Sequence, residues 1–309
     1  MKLSGFTIIR NGSDLHYPFI ESINSLLPIV DEYIVLVCES TDNTRELISN
    51  IKNDKIKIYD SDWDTKMKSD VFSLKTNEAL KYITGDYGFY LQGDELIHEK
   101  DYDLILKTLK NNINNTAIKG FVFDYIHFLG GFFSYPKKEY VEKIFCYAME
   151  TRIIRNDKTV MSFGDATGFT EIGGKPVSLE NGNALKIEGA NIYHYGKALR
   201  PEYNYRKELN TVSINYGKFF KRLKTWAFNF SPRVDRYVFS DVDFLEFIDR
   251  SNIGFHPEPI RRLVSSQDWD LTDFKNFKKK NSGFVKFIKI VVYRIISEIT
   301  TGIKKLTKK

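Results

Sequence analysis

Apolar positions in the first part of the chain fall into two alternating rhythms. Short β-rich runs occupy Phe6 to Ile9, Tyr33 to Cys38, Lys55 to Tyr59 and Tyr87 to Leu91. Between them, Pro18 to Leu27, Thr41 to Ile51 and Val71 to Ile83 carry apolar residues at helical spacing. Pro18 suits a first helical position, where the missing N–H costs nothing, and Pro28 closes the same helix. This alternation predicts an α/β fold with a doubly wound, mostly parallel sheet, whose ligands bind outside the carboxyl ends of the strands.

After residue 115 the rhythm changes. Ile118 to Leu129, Glu150 to Arg155 and Ala184 to Tyr195 read as longer strands, separated by the aromatic segment with Gly130 and Gly131 and by a loop around Gly164 to Gly174. The change predicts a mixed second half of the sheet that forms the far wall of a cleft. From Arg200 to about Leu271 the pattern is helical, broken at Pro232, Pro257 and Pro259. No internal repeat and no low-complexity linker interrupts it.

Composition adds a core and a charged tail. With 42% hydrophobic residues, 24 Phe and 18 Tyr, the 309-residue chain carries too much apolar surface to remain unfolded. Residues 275–309 hold eleven Lys and Arg against the single acid Glu298, a surplus of ten, whereas the whole chain is only +6, so residues 1–274 are net −4. Basic charge confined to a tail argues against nucleic acid as a partner, which would require a basic folded face. In the tail, Phe284, Ile288, Val291, Ile295, Ile299 and Ile303 share one helical face, with Lys286, Lys289 and Lys304 opposite. Such a helix suits an anionic membrane surface; the competing reading docks it on its own core or on a second copy in a homo-oligomer. No apolar stretch approaches the length that crosses a bilayer, and the N-terminus lacks a secretory h-region, so a cytoplasmic protein, peripheral on the inner face of the membrane, is expected. Cys38 and Cys146 have no CxxC or His partner and read as buried, reduced thiols.

The chemistry gathers at the strand ends. The first strand ends in Arg10-Asn11-Gly12, the second runs into Glu39-Ser40-Thr41-Asp42-Asn43-Thr44, and the fourth ends in Gln92-Gly93-Asp94-Glu95. A cation, a polar helix start and an acidic pair along one sheet edge can hold a nucleotide. No Walker A sequence and no GxGxxG fingerprint is present, which removes the main support for ATPase and dinucleotide-dehydrogenase readings.

The ordered set Thr7-Ile8-Ile9-Arg10-Asn11, Glu21-Ser22, Leu27-Pro28-Ile29, Ser40 to Thr44, Asn77-Glu78-Ala79 and Tyr90 to Glu95 resembles the family 2 glycosyltransferases of GT-A fold. It is most similar to a bacterial subgroup with an Arg-Ile-Ile-Arg-Asn run (Arg152 to Asn156), an Asp-Ala-x-Gly-Phe turn (Asp165 to Phe169), a Tyr-His-Tyr-Gly strand (Tyr193 to Gly196) and a Gly-x-His-Pro segment (Gly254 to Pro257). The resemblance spans about residues 5–270 and implies a GT-A catalytic domain over 1–199 with a helical extension over 200–274 packed on it; the charge and spacing of the tail add the basic helix over 275–309.

What the resemblance implies about the site follows from sugar transfer out of a nucleoside diphosphate. Negative charge builds on the departing diphosphate, and a divalent cation, Mn²⁺ or Mg²⁺, held by a carboxylate offsets it. Asp94 is the implied metal ligand, with Gln92 where the family's Asp-x-Asp motif has its first acid. His194 falls where some GT-A enzymes take a further ligand from a histidine; alone, it reads equally as a core histidine. Asp165, flanked by Gly164 and Gly168, is the favoured base for the acceptor hydroxyl, and Glu150 is its rival, although an ion pair with Arg152 or Arg155 explains Glu150 equally well. The nucleotide positions are Arg10, Asn11, Glu39, Asp42, Trp63, Asp64 and Gln92, with Asn77 supporting the acidic loop; Trp63 reads either as a wall for the base or as core. The stripe Tyr125, His127, Phe128, Phe132, Phe133 and Tyr135 stacks on an acceptor sugar in one reading and is core in the other. The expected activity is therefore an inverting, metal-assisted transfer, of hexosyltransferase type, from a nucleoside-diphosphate sugar to a hydroxyl of a cell-surface glycan or lipid-linked acceptor. The alternative is a catalytically weak nucleotide-sugar-binding or scaffold protein of the same fold, which Gln92 favours.

Overall fold

The computed structural model describes residues 1–67, 70–145, 147–204, 206, 207, 210, 244–273 and 276. Four parallel strands, β1 (Leu3–Ile9), β2 (Glu32–Cys38), β3 (Ile56–Ser61) and β4 (Tyr87–Tyr90), stand in the order β3-β2-β1-β4. Helices α1 (Phe19–Leu26), α2 (Thr44–Ser49) and α3 (Asp70–Leu80) connect them. β2 shows why the sheet is covered on both sides: all seven residues are buried, yet Tyr33, Val35 and Val37 join one core while Ile34, Leu36 and Cys38 join another. The first core takes Phe19, Ile23 and Leu26 of α1, Ile48 of α2, and Ile105 and Leu109 of α4 (Tyr102–Asn111); the second takes Val71 and Ala79 of α3. The sheet is doubly wound, as the rhythm of the first half predicts.

The second half extends the sheet with β5 (Glu95–Ile97), β6 (Gly120–Leu129), β8 (Met149–Arg155) and β11 (Ala184–Lys197), giving the full order β3-β2-β1-β4-β8-β6-β11-β5. β8 is antiparallel to both β4 and β6, β11 runs parallel to β6, and β5 is antiparallel to β11. The result is a doubly wound, mostly parallel α/β sheet with a mixed second half, as the sequence leads one to expect. A short β7 (Ser134–Pro136) and helix α5 (Lys138–Phe145) follow β6, and β9 (Val160–Phe163) and β10 (Gly168–Glu171) form a hairpin where the sequence pattern suggests only a loop.

Residues 200–274 are not helical throughout. Helical residues 201–204, 206, 207 and 210 follow β11, but β12 (Leu245–Phe247) pairs antiparallel with β7, giving that edge's backbone groups their partners. A short helix α6 (Arg261–Ser265) then supplies Val264 to a third core with Phe128, Phe132, Tyr193, Tyr195 and Trp269. Phe128 and Phe132 of the aromatic stripe are thus core. The Gly-x-His-Pro segment is a clamp: His98 Nε2 donates to the Gly254 carbonyl at 3.1 Å, and His256 Nδ1 hydrogen-bonds the Tyr195 hydroxyl at 2.9 Å. Cys38 is buried, and burial pushes its thiol up to about 12, so it stays protonated. Cys146 and the basic helix over 283–309 lie outside the described residues. Among the described residues, no helix is long and apolar enough to cross a membrane.

Candidate active site

A cavity of about 280 Å³ opens at the carboxyl ends of the parallel strands. Arg10 enters it from beyond β1, Cys38 from the end of β2, Trp63 from beyond β3, and Gln92 and Asp94 from the turn after β4. Strand order reverses between β1 and β4, and the ligand crevice of an open α/β sheet forms at such a switch. Asp165 and Thr167 reach the cavity from the β9–β10 turn, and His194 from β11.

Local backbone explains these placements. β11 slips register against β6 between His194 and Lys197, an irregularity that re-aims the His194 side chain. Gly196 lies there because a Cβ would stand 2.5 Å from His194 Nε2 and 2.9 Å from Asp94 Oδ2. The Asp94 carbonyl accepts from the Tyr195 N–H at 2.8 Å, which ties the acidic turn to β11. Asp165 sits between two left-handed residues, Gly164 at φ +56° and Ala166 at φ +52°, and the non-glycine residue marks a strained turn.

Asp94 is buried against His194, whose Nε2 is 3.6 Å from its Oδ2, and against Lys207, whose ammonium contacts the same oxygen. Burial opposes ionisation, but Lys207 and His194 outweigh it and hold the carboxyl well below the usual carboxylate range. A hydrogen bond to His127 orients the His194 ring. His127 Nε2 faces the Tyr147 carbonyl at 3.1 Å and must donate; burial keeps His127 neutral, so its Nδ1 accepts from His194 Nδ1 at 2.7 Å. His194 Nδ1 therefore carries the hydrogen of that bond, while its Nε2 faces Asp94.

Glu95, the other acid of the pair, is structural. Its carboxylate is fully buried and accepts from Arg152 Nε at 2.9 Å and Nη2 at 2.8 Å, from the Tyr125 hydroxyl at 2.9 Å and from the Gln92 N–H at 3.1 Å. Arg152 also donates to the Thr167 carbonyl at 2.9 Å, linking the acidic turn to the loop that carries Asp165. Arg152 thus pairs with Glu95 and not with Glu150, while Arg155 donates to the Ile113, Asn112, Asn115 and Ile118 carbonyls and the Tyr87 hydroxyl. Glu150 is raised to about 6 by burial, and it does not line the cavity. Asp165, raised by burial, does. Tyr17 also lines the cavity: burial, then the Asp94 and Asp165 charges, push its phenol far above its ordinary value.

The other expected nucleotide positions divide. Arg10, Trp63 and Gln92 line the cavity; Asn11, Glu39, Asp42 and Asp64 are not among its lining residues. Asn11 takes a left-handed conformation (φ +49°), and its Oδ1 accepts from the Thr41 N–H at 2.8 Å, so it ties two strand ends together. Asp42 accepts from the Asp14 and Thr44 N–H groups, and Asp64 from the Lys66 N–H. Glu39 is exposed. Asn77 brackets Ser162 of β9 through Nδ2 to the carbonyl (2.9 Å) and Oδ1 from the N–H (2.7 Å), and so supports the Asp165 hairpin, not the acidic loop. The Arg10 guanidinium lies 5.2 Å from the Trp63 ring centroid, and Arg10 Nε and Trp63 Nε1 are buried donors without a partner among the described residues. Tyr17 and Lys207 are beyond sequence reasoning, since their contacts span long stretches of chain and match no local motif; His127, of the aromatic stripe, is buried beneath His194.

Fold and cavity define a doubly wound α/β protein with an acidic, aromatic-walled ligand site at its topological switch point. No protein-family model matches the chain, and no curated protein matches it. Among solved structures it is similar to S. aureus TarS 1-349, at 17% identity with a TM-score of 0.39, over 79% of this chain and 74% of that one. It is also similar to TarS 1-349 in complex with UDP-GlcNAc, at 15% identity and a TM-score of 0.38 over the same shares. A further structure of S. aureus TarS aligns at 14% identity and a TM-score of 0.36, over 89% of this chain and 54% of that one.

Proposed function

We propose that the protein is an inverting glycosyltransferase of family 2 type, moving a sugar from a nucleoside diphosphate to a hydroxyl of a cell-surface glycan or lipid-linked acceptor. The observation that carries this reading is the convergence of Arg10, Trp63, Asp94 and Asp165 on one cavity at the switch point of the sheet. The two buried donors at its Trp63 end, Arg10 Nε and Trp63 Nε1, are suited to oxygen acceptors of a nucleobase or ribose, because an unpartnered buried donor is costly until a ligand satisfies it.

In the reaction, the acceptor hydroxyl oxygen bonds to the anomeric carbon as the bond from that carbon to the β-phosphate oxygen breaks. The electron pair leaves with the nucleoside diphosphate. The hydroxyl proton passes to the carboxylate of Asp165, whose upward shift by burial makes it a better proton acceptor than an ordinary aspartate. Glu150, outside the cavity lining, has no such role here.

A resident divalent cation fits these residues poorly. Asp94 is the one carboxylate beside His194, it is already paired with an ammonium, and no cluster of three His, Cys, Asp or Glu is present among the described residues. The surplus of basic residues in the tail supports a peripheral place on an anionic membrane, where lipid-linked acceptors are held. The direct test is a donor screen by nucleotide release, followed by product analysis, with Asp165→Asn as control. Turnover abolished by that substitution supports the proposal; binding of a nucleoside diphosphate without any turnover supports the scaffold reading.

A further inference from the structure

We infer that the Lys207 ammonium, and not a divalent cation, offsets the charge that develops on the departing diphosphate; this rests on the transferase reading above. Lys207 is carried by the helical stretch that follows β11. Four residues earlier on that stretch, Tyr203 stacks on His16 with ring centroids 3.5 Å apart and planes 13° from parallel. Residues spaced by four share a helix face, so the contact that anchors Tyr203 beside the β1 loop also delivers Lys207 to the cavity.

There its ammonium contacts Asp94 Oδ2, stands 3.3 Å from the Gly196 carbonyl and lies 4.8 Å from the Tyr17 ring centroid. Each neighbour is one that a cation seeks: a carboxylate, a carbonyl oxygen and an aromatic face. The seat is thus already arranged for positive charge, and a lysine of this chain fills it.

The acidic motif is consistent with that occupant. With Gln92 in place of an acid and Glu95 committed to Arg152, Asp94 is the one acid of that turn left to face the seat, which matches one monovalent ammonium better than a dication. A divalent ion would have to displace Lys207 from its carboxylate or share the seat against its charge. Lys207 takes no proton in the step. Its N–H groups are donors to the oxygens that receive the electron pair.

The test uses the full chain and isothermal titration with UDP, GDP and dTDP, each against its monophosphate, in EDTA and then in Mn²⁺. The expected result is that at least one diphosphate binds in EDTA within about threefold of its affinity in Mn²⁺. Lys207→Met should weaken that diphosphate about tenfold or more and the matching monophosphate less than twofold, and should slow donor-sugar hydrolysis roughly a hundredfold, the usual size for loss of one charge-stabilising donor. Lys207→Arg should recover part of both. Equal loss for diphosphate and monophosphate would reveal a merely structural lysine and overturn the inference. So would diphosphate binding or turnover that disappears in EDTA and returns with Mn²⁺, a result read on the unaltered chain even if Lys207→Met fails to fold. Failure of every nucleotide to bind in either condition would instead overturn the transferase reading, and the lysine's role with it.

Discussion

Glu95→Gln separates the two acids of the Asp94-Glu95 pair, which look alike in the sequence. The substitution keeps the side-chain shape but removes the charge that faces the two Arg152 donors at 2.9 and 2.8 Å, and it turns one acceptor oxygen into an amide donor. Both side chains are almost fully buried, at 0% for Glu95 and 1% for Arg152, so the guanidinium cannot turn to solvent. Removing one partner of such a pair costs about 3–5 kcal/mol, because the other charge stays buried and unpaired. For a protein of this size that amounts to a fall of roughly 5–8 °C in the unfolding midpoint. Thermal unfolding followed by far-UV circular dichroism measures it. Replacing both members with apolar residues, Glu95→Leu with Arg152→Met, should recover only part of the loss, because the Tyr125 hydroxyl, the Gln92 N–H and the Thr167 carbonyl lose these partners. A midpoint within about 2 °C of the parent for Glu95→Gln alone would refute the assignment of Glu95 to the scaffold.

Three further outcomes follow from the cavity. Gly196→Ala forces a Cβ to within 2.5 Å of His194 Nε2, so sugar transfer should fall about a hundredfold by misplacement of His194 and Asp94 while far-UV dichroism stays unchanged; unaltered rates would contradict the close approach. Trp63→Phe removes a buried donor that has no partner among the described residues, so nucleotide affinity should fall several-fold with no loss of thermal stability; a variant less stable and equally tight in binding would make Trp63 ordinary core. Glu150, raised to about 6 against an ordinary 4.5, favours the folded state when protonated: that stability is complete below about 4.5 and is lost as pH rises through about 6. Glu150→Gln should flatten the unfolding midpoint across that window, and an unchanged profile would show that Glu150 does not titrate there.

The parallel half of the fold is legible in the sequence because β1, β2 and β4 are buried on both faces and its helices on one, so period and length mark these elements. β9, β10 and β12 are three or four residues long, too short for any period to declare itself, and they exist because a neighbouring edge needs hydrogen bonds. The site divides on the same principle. Arg10, Trp63, Gln92 and Asp94 lie at strand ends that the sheet order brings together, so reading the ends finds them. Asn11 and Asp42 stand at equally polar ends but spend their side chains on backbone groups nearby, a choice made by loop conformation that residue type does not reveal. Lys207 meets Asp94 across 113 residues of chain, through a helix whose docking depends on Tyr203 and His16.

The central claim is that one cavity holds a nucleoside diphosphate with its base at Trp63 and its phosphates at the Asp94 end. A crystal structure of the protein with whichever of UDP, GDP or dTDP binds tests it most directly. The account predicts the base beside Trp63 and Arg10, and the terminal phosphate within hydrogen-bond reach of Lys207. A nucleotide seated elsewhere on the protein, or one whose phosphates point away from Asp94 and Lys207, would contradict it.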